Sequence, residues 1–395
     1  MQKMKENSPW RAILRRFANN RIALAGAAGI ALLMLPAIFA PLITNGRPLL
    51  MVDDGHITLP FLRFVFAPES SEVLVEKLFN FLMLFLPLWL FCRLIKNISL
   101  RRWITLAVAL LLLIPFITVE PKMDKSDYRE MAAGAECALF APVPYGPDEI
   151  TGEPYGLPDG RHIFGCDDVG RDLASRLIYG ARVSLAVGIL ATVLSMIIGL
   201  IVGMCAGYYR GKLDLILMRL VEILLCFPTF LLLLILMSML GDYKIAESIP
   251  LVIAVIGLTG WIGLAFLVRG EVLKESSMAY VQSCVVSGVP GWKIMFKHLL
   301  PNISAPVLIS FTFSIAGVIM SESGLSFLGF GVQPPTASWG NLLRQAFDNP
   351  MIFTPDGSVG YWHLTVFPGL ALFIAVLSFN FTGEGLRRAF DVKEG

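Results

Sequence analysis

Long apolar runs divide this chain, and they constrain its fold more than any other feature. A helix of roughly 20 mostly apolar residues crosses the ~30 Å hydrocarbon core of a bilayer. Six runs have about that length, and tilt or local thinning of the bilayer accommodates two shorter ones. The six are 22–43, 183–206, 215–240, 250–268, 303–321 and 364–382, and the shorter pair is 78–92 and 103–119. We therefore predict an all-α integral membrane protein with about eight transmembrane helices.

The composition supports this prediction. Hydrophobic residues make up 56% of the 395-residue chain and charged residues 16%, with a mean hydropathy of +0.70. A water-soluble domain usually carries about 25% charged residues. A large soluble globule around one core is therefore excluded.

The positions of lysine and arginine predict the orientation of the chain, because these residues are retained in short cytoplasmic loops. The first 21 residues carry six basic side chains and one acid, so we place this tail in the cytoplasm. Eight alternating spans then give inner segments with 20 basic and 8 acidic residues, and outer segments with 12 and 22. The loop 93–102 between the two shorter runs holds four basic residues and no acid, which supports inserting both runs. Both termini are predicted to be cytoplasmic.

Residues 9–17 have the pattern of an amphipathic helix in the N-terminal tail. Trp10 and Phe17 would hold this helix on the inner membrane surface. A basic flank that only sets the topology is an equally compatible interpretation.

No pattern in the sequence indicates catalysis, a cofactor or a metal site. The six cysteines form no Cys-x-x-Cys pair, and the four histidines show no His-Glu-x-x-His or Ser-His-Asp arrangement. The pair Gly211-Lys212 lacks the upstream glycine and the following Ser or Thr of a phosphate-binding loop. We therefore predict a non-enzymatic protein without cofactor or metal, in which any use of ATP requires another subunit.

Two cysteines, Cys137 and Cys166, fall in the predicted outer segments, where a disulfide can persist. We favour two unpaired residues at these positions. A disulfide between them is the alternative.

Ionisable residues are rare inside the predicted spans, which argues against an ion-coupled secondary transporter that needs buried carboxylates. Glu222 follows Arg219 by one helical turn, so a local ion pair is the favoured interpretation. Glu322 begins the Gly- and Pro-rich segment 322–340, which we predict to be an ordered outer loop with a structural carboxylate at a pore mouth. The secondary transporter stays the main alternative function, followed by a structural membrane anchor.

The longest predicted cytoplasmic loop contains the stretch QSCVVSGVPGWKIMFKHLLPN (282–302), which is mixed, basic and interrupted by glycine. Residues 276–287 are predicted to form a short helix and residues 291–300 a second one, which Pro301 ends. At Gly288 the chain must turn, and a residue without Cβ takes a positive φ there at little cost. Such a helix pair is suited to docking on a partner, whereas spacing alone is equally compatible with a plain connector.

This stretch resembles the EAA loop of ABC importer permeases. The family pattern is Glu-Ala-Ala, three residues, Gly, nine residues, Ile, one residue and Leu-Pro. Gly288, Leu300 and Pro301 match it, and small residues at 283 and 284 preserve close packing. The departures are Gln282, Ser283, Cys284 and His298, which stand at the Glu, Ala, Ala and Ile positions. Within this stretch, the sequences YVQSCVVSG and FKHLLPN are most similar to those of the dipeptide/oligopeptide branch.

Further stretches resemble that branch in the same order along the chain. They are GCDDVGRDLASRLIYGARVSL (165–185), AGYYRGKLDLILMRLVEILLCFPTF (206–230), LSFLGFGVQPPTASWGNLL (325–343) and FPGLALFIAVLSFNFTGEGLRRAFD (367–391). Cys166 replaces a usual threonine. Residues 44–62 resemble the early outer segment of peptide permeases with an extended N-terminal region. The pair at 78–119 has no counterpart in the six-span core and is interpreted as an extra N-terminal hairpin that packs or faces lipid.

The resemblance implies a type I ABC importer permease of the dipeptide/oligopeptide transport family in a bacterial inner (cytoplasmic) membrane. Such a subunit forms half of a translocation pore beside a second homologous permease subunit. Two cytoplasmic ABC ATPases drive it, and a periplasmic or lipid-anchored solute-binding protein delivers the cargo; no nucleic acid is involved. Peptides are the expected cargo, with nickel, glutathione or another small solute as alternatives.

Functional residues are expected in two places, a coupling loop that the resemblance implies and an outer loop that its Gly- and Pro-rich pattern suggests. The coupling set in the loop 276–301 is Gln282, Ser283, Cys284, Gly288, His298, Leu300 and Pro301. The pore or outer-loop set is Glu322, Gly329, Gln333, Pro334 and Trp339. The loop 325–341 is expected to be a mobile pore rim that crosslinks to the binding protein from Gln333 or Ser338.

These interpretations divide the chain into four parts. They are a cytoplasmic tail with an interfacial helix (1–21), a first transmembrane helix (22–43), a periplasmic insert containing the hairpin (44–180), and a permease core with its coupling loop at 270–302 (181–391).

Overall fold

The computed structural model describes residues 9–53, 55–68, 72–119, 128–240, 248–348 and 360–391, which are mainly helical. The helices are α1 (Pro9–Asn19), α2 (Arg21–Ile38), α3 (Ala40–Ile43), α4 (Pro60–Phe66), α5 (Val73–Cys92), α6 (Ile98–Thr118), α7 (Tyr128–Gly134), α8 (Leu173–Tyr209), α9 (Gly211–Leu225), α10 (Thr229–Leu240), α11 (Ile249–Thr259), α12 (Ile262–Glu275), α13 (Ala279–Val286), α14 (Gly291–Lys293), α15 (Leu300–Asn302), α16 (Ser304–Phe327), α17 (Trp339–Phe347) and α18 (Trp362–Phe390). A π-helical stretch, Ile294–Leu299, joins α14 to α15. The strands are β1 (Leu50–Asp53), β2 (His56–Thr58) and β3 (Cys137–Leu139).

Six of the described helices are long and apolar enough to cross a membrane, namely α2, α5, α6, α8, α16 and α18. Two bent helix pairs pass the same test together, α9 with α10 at 81° and α11 with α12 at 41°, which gives up to eight spans if each pair is one span. The break between α9 and α10 contains Pro228, which lacks a backbone donor and disfavours helical conformation in the residue before it. Every predicted run corresponds to one of these helices or pairs, so the prediction of an all-α membrane protein with about eight spans is confirmed.

The C-terminal part of α16 differs from the prediction. Glu322 lies inside this helix, so the outer loop predicted to begin there is wrong. A glycine within a helix costs about 1 kcal/mol relative to alanine, which packing offsets. At Gly324 an added Cβ would lie 3.2 Å from the ring of Phe230, so the glycine permits this close approach. Glu322 is buried, and the hydroxyl of Ser323 donates to its carboxylate across 3.3 Å.

A small antiparallel sheet that the sequence did not predict has the strand order β2-β1-β3. In β1, Met51 pairs with Thr58 on one side and with Ala138 on the other. Strands of three or four residues give too short an alternation to be recognised in a sequence. The sheet joins the chain before the α5–α6 pair to the chain after it, so this pair is an insertion whose two ends are held together.

The inserted pair is a helical hairpin of 20 and 21 residues. The side chain of Asn97 caps α6 by accepting hydrogen bonds from the backbone N–H groups of Ser99 and Leu100. Near the other end of the hairpin, the ammonium of Lys77 donates to the carbonyl of Phe116 across 2.7 Å. At 1.5 Å per residue each helix is about 30 Å long, which is enough to cross the hydrocarbon core.

The chain divides into two compact units. The first consists of Met1–Ala31, Val187–Leu325 and Leu372–Gly395, and the second of Leu32–Ala186 and Ser326–Ala371. In the second unit a core of Leu173, Leu342, Ala346 and Leu364 is flanked by half-buried aromatic side chains.

In the first unit, α8 packs closely on α12 through glycines spaced four residues apart. An added Cβ at Gly203 would lie 2.6 Å from the carbonyl oxygen of Ala265, and one at Gly207 would lie 2.9 Å from that of Arg269. Small residues at this spacing let two helix backbones approach in a membrane. The glycines of the sequence therefore place α12, and the loop that follows it, against α8.

Cys137 and Cys166 are both free, so the favoured prediction of unpaired cysteines is confirmed. Cys137 lies exposed on β3, whereas Cys166 is buried. Burial, reinforced by nearby aspartates, raises the pKa of Cys166 to about 11. The thiolate of Cys166 is therefore almost absent at neutral pH.

A membrane-impermeant maleimide applied to intact cells is expected to modify Cys137 and to spare Cys166 until the protein is denatured. Exposure favours the reaction of the first thiol, and burial with a raised pKa suppresses that of the second. Peptide mass spectrometry after each treatment measures both. Modification of Cys137 only in inside-out vesicles would reverse the predicted orientation.

Candidate functional site

The segment between α12 and α16 forms two short helices joined by a glycine turn. The first, α13, starts three residues later than predicted. Gln282 donates from its side-chain amide to the carbonyl of Ser276 across 2.9 Å, and the hydroxyl of Ser283 donates to the carbonyl of Ala279 across 2.9 Å. The side chain of Gln282 thus holds α13 against the end of α12.

Gly288 ends α13 in the conformation that the sequence predicted, with φ of 74°. Its N–H donates to the carbonyl of Val285 across 3.0 Å, and the N–H of Val289 donates to that of Cys284 across 3.0 Å. These two bonds form a Schellman motif, in which the C′ residue is usually glycine. Cys284 and Val289 both pack against the adjacent core, which supplies the apolar contact that accompanies this motif.

The second helix continues past Pro301, so the prediction that it ends at this residue is wrong. It passes through the π-helical stretch, where His298 is half-buried, and continues in α15 to Asn302. The N–H of Leu300 donates to the carbonyl of Met295, five residues earlier. In a regular α-helix a proline ring clashes with the carbonyl four residues before it. The longer π repeat moves the preceding carbonyls out of that register, so the helix accommodates the proline.

One face of this helix pair is buried in a hydrophobic cluster of the first unit. The pair contributes Val281, Ile294, Met295 and Leu299, with Cys284 and Leu300 partly buried, and the spans contribute Met204, Leu264, Val268 and Val272. Full burial of each such aliphatic side chain contributes about 1.5–3 kcal/mol. Gly291 lies against the ring of Tyr208, where an added Cβ would come within 2.8 Å of Cε1. The cluster therefore fixes the helix pair against α8 and α12.

The exposed side of the pair carries four apolar side chains beside polar ones such as Ser283, Lys293 and Lys297. We call the four apolar side chains the exposed apolar face, and they are Val285, Val286, Trp292 and Phe296. Val286 is 87% exposed and Trp292 is 58% exposed. The ammonium of Lys293 lies 5.5 Å from the centroid of the Trp292 ring. Single exposed apolar residues are ordinary, but a set that includes an exposed tryptophan on a rigidly held segment is typical of an interaction surface.

A polar chain that the sequence analysis missed ties the start of the helix pair to its end. The hydroxyl of Tyr280 donates to the carboxylate of Glu275 across 2.8 Å and accepts from the amide of Asn302 across 2.7 Å. Desolvation and the hydrogen bond to Glu275 raise the pKa of Tyr280, so its hydroxyl stays protonated and donates. The three residues follow no helical period, so no sequence pattern could have revealed their contact.

The ion pairs of the first unit include a local one and a long-range one. Arg219 and Glu222 form the predicted local pair at 2.7 Å, with both side chains exposed. The guanidinium of Arg269 also donates to the carboxylate of Asp214 across 2.7 Å and joins α12 to α9. This second pair bridges 55 positions of sequence and was not predicted.

In the second unit, the stretch 165–185 forms a buried charge cluster. The carboxylate of Asp167 lies 2.7 Å from Nε of Arg171 and 3.0 Å from Nε of Arg176. Its other oxygen accepts hydrogen bonds from the backbone N–H groups of Val169 and Arg171. The side chains of Asp167 and Arg176 are fully buried, so each charge depends on its partners.

Arg176 also connects segments that are distant in sequence. Its guanidinium donates to the carbonyl of Pro147 across 3.1 Å and to that of Pro335 across 3.2 Å. It also lies 3.5 Å from the carboxylate of Asp148. The stretch 165–185 therefore supplies the charged centre that links the segments around Pro147 and Pro335 to the start of α8.

Trp339 and Ser338 lie inside this unit. The indole of Trp339 is buried and donates to the carbonyl of Leu177 across 3.2 Å. Ser338 caps α17 in a reciprocal capping box with Asn341 and is also buried. The expectation that Ser338 is accessible for crosslinking is therefore wrong, because the hydroxyl satisfies the helix terminus.

The remaining outer candidates lie in the turns between α16 and α17. Gly329 has φ of 82°, and an added Cβ would overlap the guanidinium of Arg344. Gln333 is half-buried and donates to the carbonyl of Gly329, whereas Pro334 is exposed. Of the predicted outer set, Glu322 and Trp339 are buried, Gly329 and Gln333 are half-buried, and Pro334 is exposed.

Comparison with known proteins gives two matches along the chain. Residues 184–393, about half of the chain, match the family described as binding-protein-dependent transport system inner membrane component. Residues 8–59 match the N-terminal TM domain of oligopeptide transport permease C. The first match contains the exposed apolar face, and neither contains the hairpin α5–α6.

Similar proteins include three permeases. The chain is 39% identical over 236 residues to the oligopeptide transport system permease protein OppC of Haemophilus influenzae, covering 60% of this chain and 72% of that protein. It is 37% identical to the dipeptide transport system permease protein DppC of Bacillus subtilis, covering 60% and 70%. It is 36% identical to the glutathione transport system permease protein GsiD of Pectobacterium atrosepticum, covering 60% and 74%.

Proposed function

Since this chain belongs to the family of binding-protein-dependent transport system inner membrane components, we propose that it is one of two permease subunits of an ATP-driven peptide importer. In this proposal it forms half of the translocation pore and makes or breaks no bond in the substrate. ATP is hydrolysed by two partner ATPases, and a separate solute-binding protein delivers the cargo. The family membership argues against the ion-coupled secondary transporter considered above.

The exposed apolar face is the observation that supports ATPase coupling best. Its helix pair is fixed by the buried cluster beneath it and by the Glu275–Tyr280–Asn302 chain, so it can transmit a displacement rather than absorb it. Trp292 and Phe296 offer the aromatic side chains that dominate many protein interfaces. A groove on each ATPase would receive this face, as grooves receive short amphipathic helices elsewhere.

In this proposal, movement of the helix pair couples ATP binding to the pore. Closure of the two ATPases on ATP draws the helix pairs of the two permeases together. Because the pair of this chain is packed on α8 and α12, the displacement passes to those spans and turns the pore from inward- to outward-facing. Gln282 and Gly288 act by positioning, while Val286, Trp292 and Phe296 make the contact.

The proposed cargo is a peptide, and it rests on the relatives. Two of the similar permeases are described as carrying dipeptides or oligopeptides and one as carrying glutathione, itself a small peptide. Nickel or another small solute is the alternative. Uptake of labelled di- and oligopeptides by cells with and without the protein tests the cargo separately from the coupling.

The proposed placement follows the sequence analysis. The protein lies in the inner membrane with both termini and the helix pair in the cytoplasm. The segment 44–180, with the hairpin, forms the periplasmic insert, and the core is 181–391. Gln333 and Pro334 face the solute-binding protein.

Trp292→Ala is expected to weaken binding of the ATPases to the permease pair by about 30-fold or more. Truncation of an interface hot spot costs about 2 kcal/mol or more, and about 1.4 kcal/mol is tenfold in affinity. Titration of the ATPases onto the purified permeases in nanodiscs measures the affinity, and peptide uptake measures the consequence. Trp292 is exposed, so its loss should leave the fold intact.

Trp103→Ala is the matched control, because Trp103 is 69% exposed and lies on the hairpin outside the matched core. It should bind the ATPases as the unmodified chain does. Equal ATPase affinity for the Trp292 variant and the unmodified permease would contradict the coupling role of the exposed apolar face.

A further inference from the structure

The tip of the α5–α6 hairpin is strongly basic. Four positive side chains lie between Arg93 and Arg102, and no Asp or Glu occurs from Lys77 to Val119. The one acid within α5 and α6, Glu76, lies in the first turn of α5, at the end of the hairpin away from this tip. Neither of the matched family regions contains this feature.

The structure arranges part of this charge around an open groove of about 530 Å³ between the two helices. The lining residues are Phe85 and Trp89 from α5, Arg93 just after it, and Arg101, Arg102, Thr105, Leu106 and Ala109 from α6. On α5 the residues recur every four positions, so they share one face of the helix. Three arginines surround the end of the groove near the loop, and mainly apolar side chains line the part that runs along the helices.

The arginines are available to a ligand. Among the residues that the structure describes, no carboxylate lies within ion-pair distance of Arg93, Arg101 or Arg102. The guanidinium of Arg93 lies 4.9 Å from the centroid of the Trp89 ring, which orients it over the groove wall. Guanidinium groups bind phosphate through paired N–H donors, and they do so more strongly when no carboxylate competes.

We propose that this groove binds the headgroup of an anionic phospholipid, with an acyl chain lying along Phe85, Leu106 and Ala109. Charge and position together favour a lipid over other anions. The hairpin helices are about 30 Å long, so their tip lies at the level of the headgroups, where tryptophan is also enriched. On α6 the apolar side chains of Leu110, Leu111 and Ile114 are also exposed, which offers an acyl chain further apolar surface.

This inference is independent of the proposed transport function, since it requires only that the hairpin crosses the membrane. Lipid binding would give the α5–α6 hairpin a role beyond its packing within the chain. A lipid held at the tip would attach the hairpin to one leaflet and keep α6 against lipid.

The test compares phosphatidylglycerol with phosphatidylcholine on the purified full-length protein in detergent, by native mass spectrometry at matched lipid concentrations. The unmodified chain is expected to retain phosphatidylglycerol preferentially. Replacing both guanidiniums in R101Q/R102Q should reduce that preference by about tenfold or more, because each basic residue near a membrane surface contributes substantially to anionic lipid binding. R101K/R102K keeps the charge but not the paired donors, so it should lose less of the preference than R101Q/R102Q, which separates loss of charge from loss of fold.

R387Q/R388Q is the matched control, because it removes two arginines whose charge is already paired with Glu384. It should leave the preference unchanged. An equal loss in this control, or equal retention of the two lipids by the unmodified chain, would overturn the proposal. Displacement of the lipid by millimolar inorganic phosphate would also overturn it, because the site would then bind free anions without the acyl chain.

Discussion

Asp167→Asn is expected to destabilise the second unit by about 3–5 kcal/mol, the usual result when one partner of a buried ion pair is removed. Asp167 is fully buried and its carboxylate contacts the guanidiniums of Arg171 and Arg176. Asparagine fits the space but removes the buried carboxylate that contacts both guanidiniums, so Arg171 keeps only the partly exposed Asp168 and Arg176 only the partly exposed Asp148 among the described residues. The NH₂ group of asparagine also adds a donor opposite other donors. Thermal unfolding of the purified protein and its yield in the membrane measure the loss.

The neighbouring residue supplies the control. Asp168 is 34% exposed at the side chain and lies 3.3 Å from Arg171 only. Partly exposed pairs of this kind contribute about 0–1 kcal/mol, so Asp168→Asn should unfold at nearly the same temperature as the unmodified protein. If the two variants unfold together, the buried cluster does not stabilise the unit as described.

The membrane spans could be predicted from the sequence because their signal is local. A run of apolar residues of sufficient length has few other stable solutions in a bilayer, so α2, α8 and α18 were visible without any tertiary information. Gly288 was predictable for a similar reason. A glycine between two short helical patterns requires only the local rule that a C′ residue takes a positive φ.

The departures from prediction share a cause in tertiary packing. The glycines near Glu322 signalled a loop, but Gly324 instead makes room for Phe230 and the helix continues. Pro301 signalled a helix end, but the π-helical stretch before it absorbs the proline. Neither outcome can be read from neighbours in sequence, because each depends on a partner or a hydrogen-bond shift that the local pattern does not contain.

The buried cluster of Asp167 and Arg176 illustrates the same limit for a functional region. The sequence stretch stood out only through its resemblance to a family. The partners of Arg176 lie at Pro147 and Pro335, which are 29 and 159 positions away. A charge pattern within one segment gives no information about contacts over such separations. The role of the stretch could therefore be seen only in the structure.

Gly288→Val is expected to reduce peptide uptake by about 5- to 30-fold while the protein is made and inserted normally. A non-glycine residue in the left-handed region costs about 1–2 kcal/mol, and a β-branched residue is a true outlier there. Relief of this strain would turn the chain at 288 and displace the helix that carries Trp292 and Phe296. Uptake, ATPase co-purification and ATP hydrolysis by the reconstituted complex measure the result.

Gly288→Asn separates backbone strain from side-chain bulk. No atom lies within 4 Å of a Cβ added at Gly288, so volume alone should be tolerated, and asparagine adopts positive φ more readily than valine. The asparagine variant should therefore keep most of the uptake that the valine variant loses. An equal loss of uptake in both variants would show that a side chain at position 288 blocks the contact surface, and that backbone strain is not the cause. Normal uptake by both, with ATPases bound, would make the loop a plain connector and refute its role in coupling.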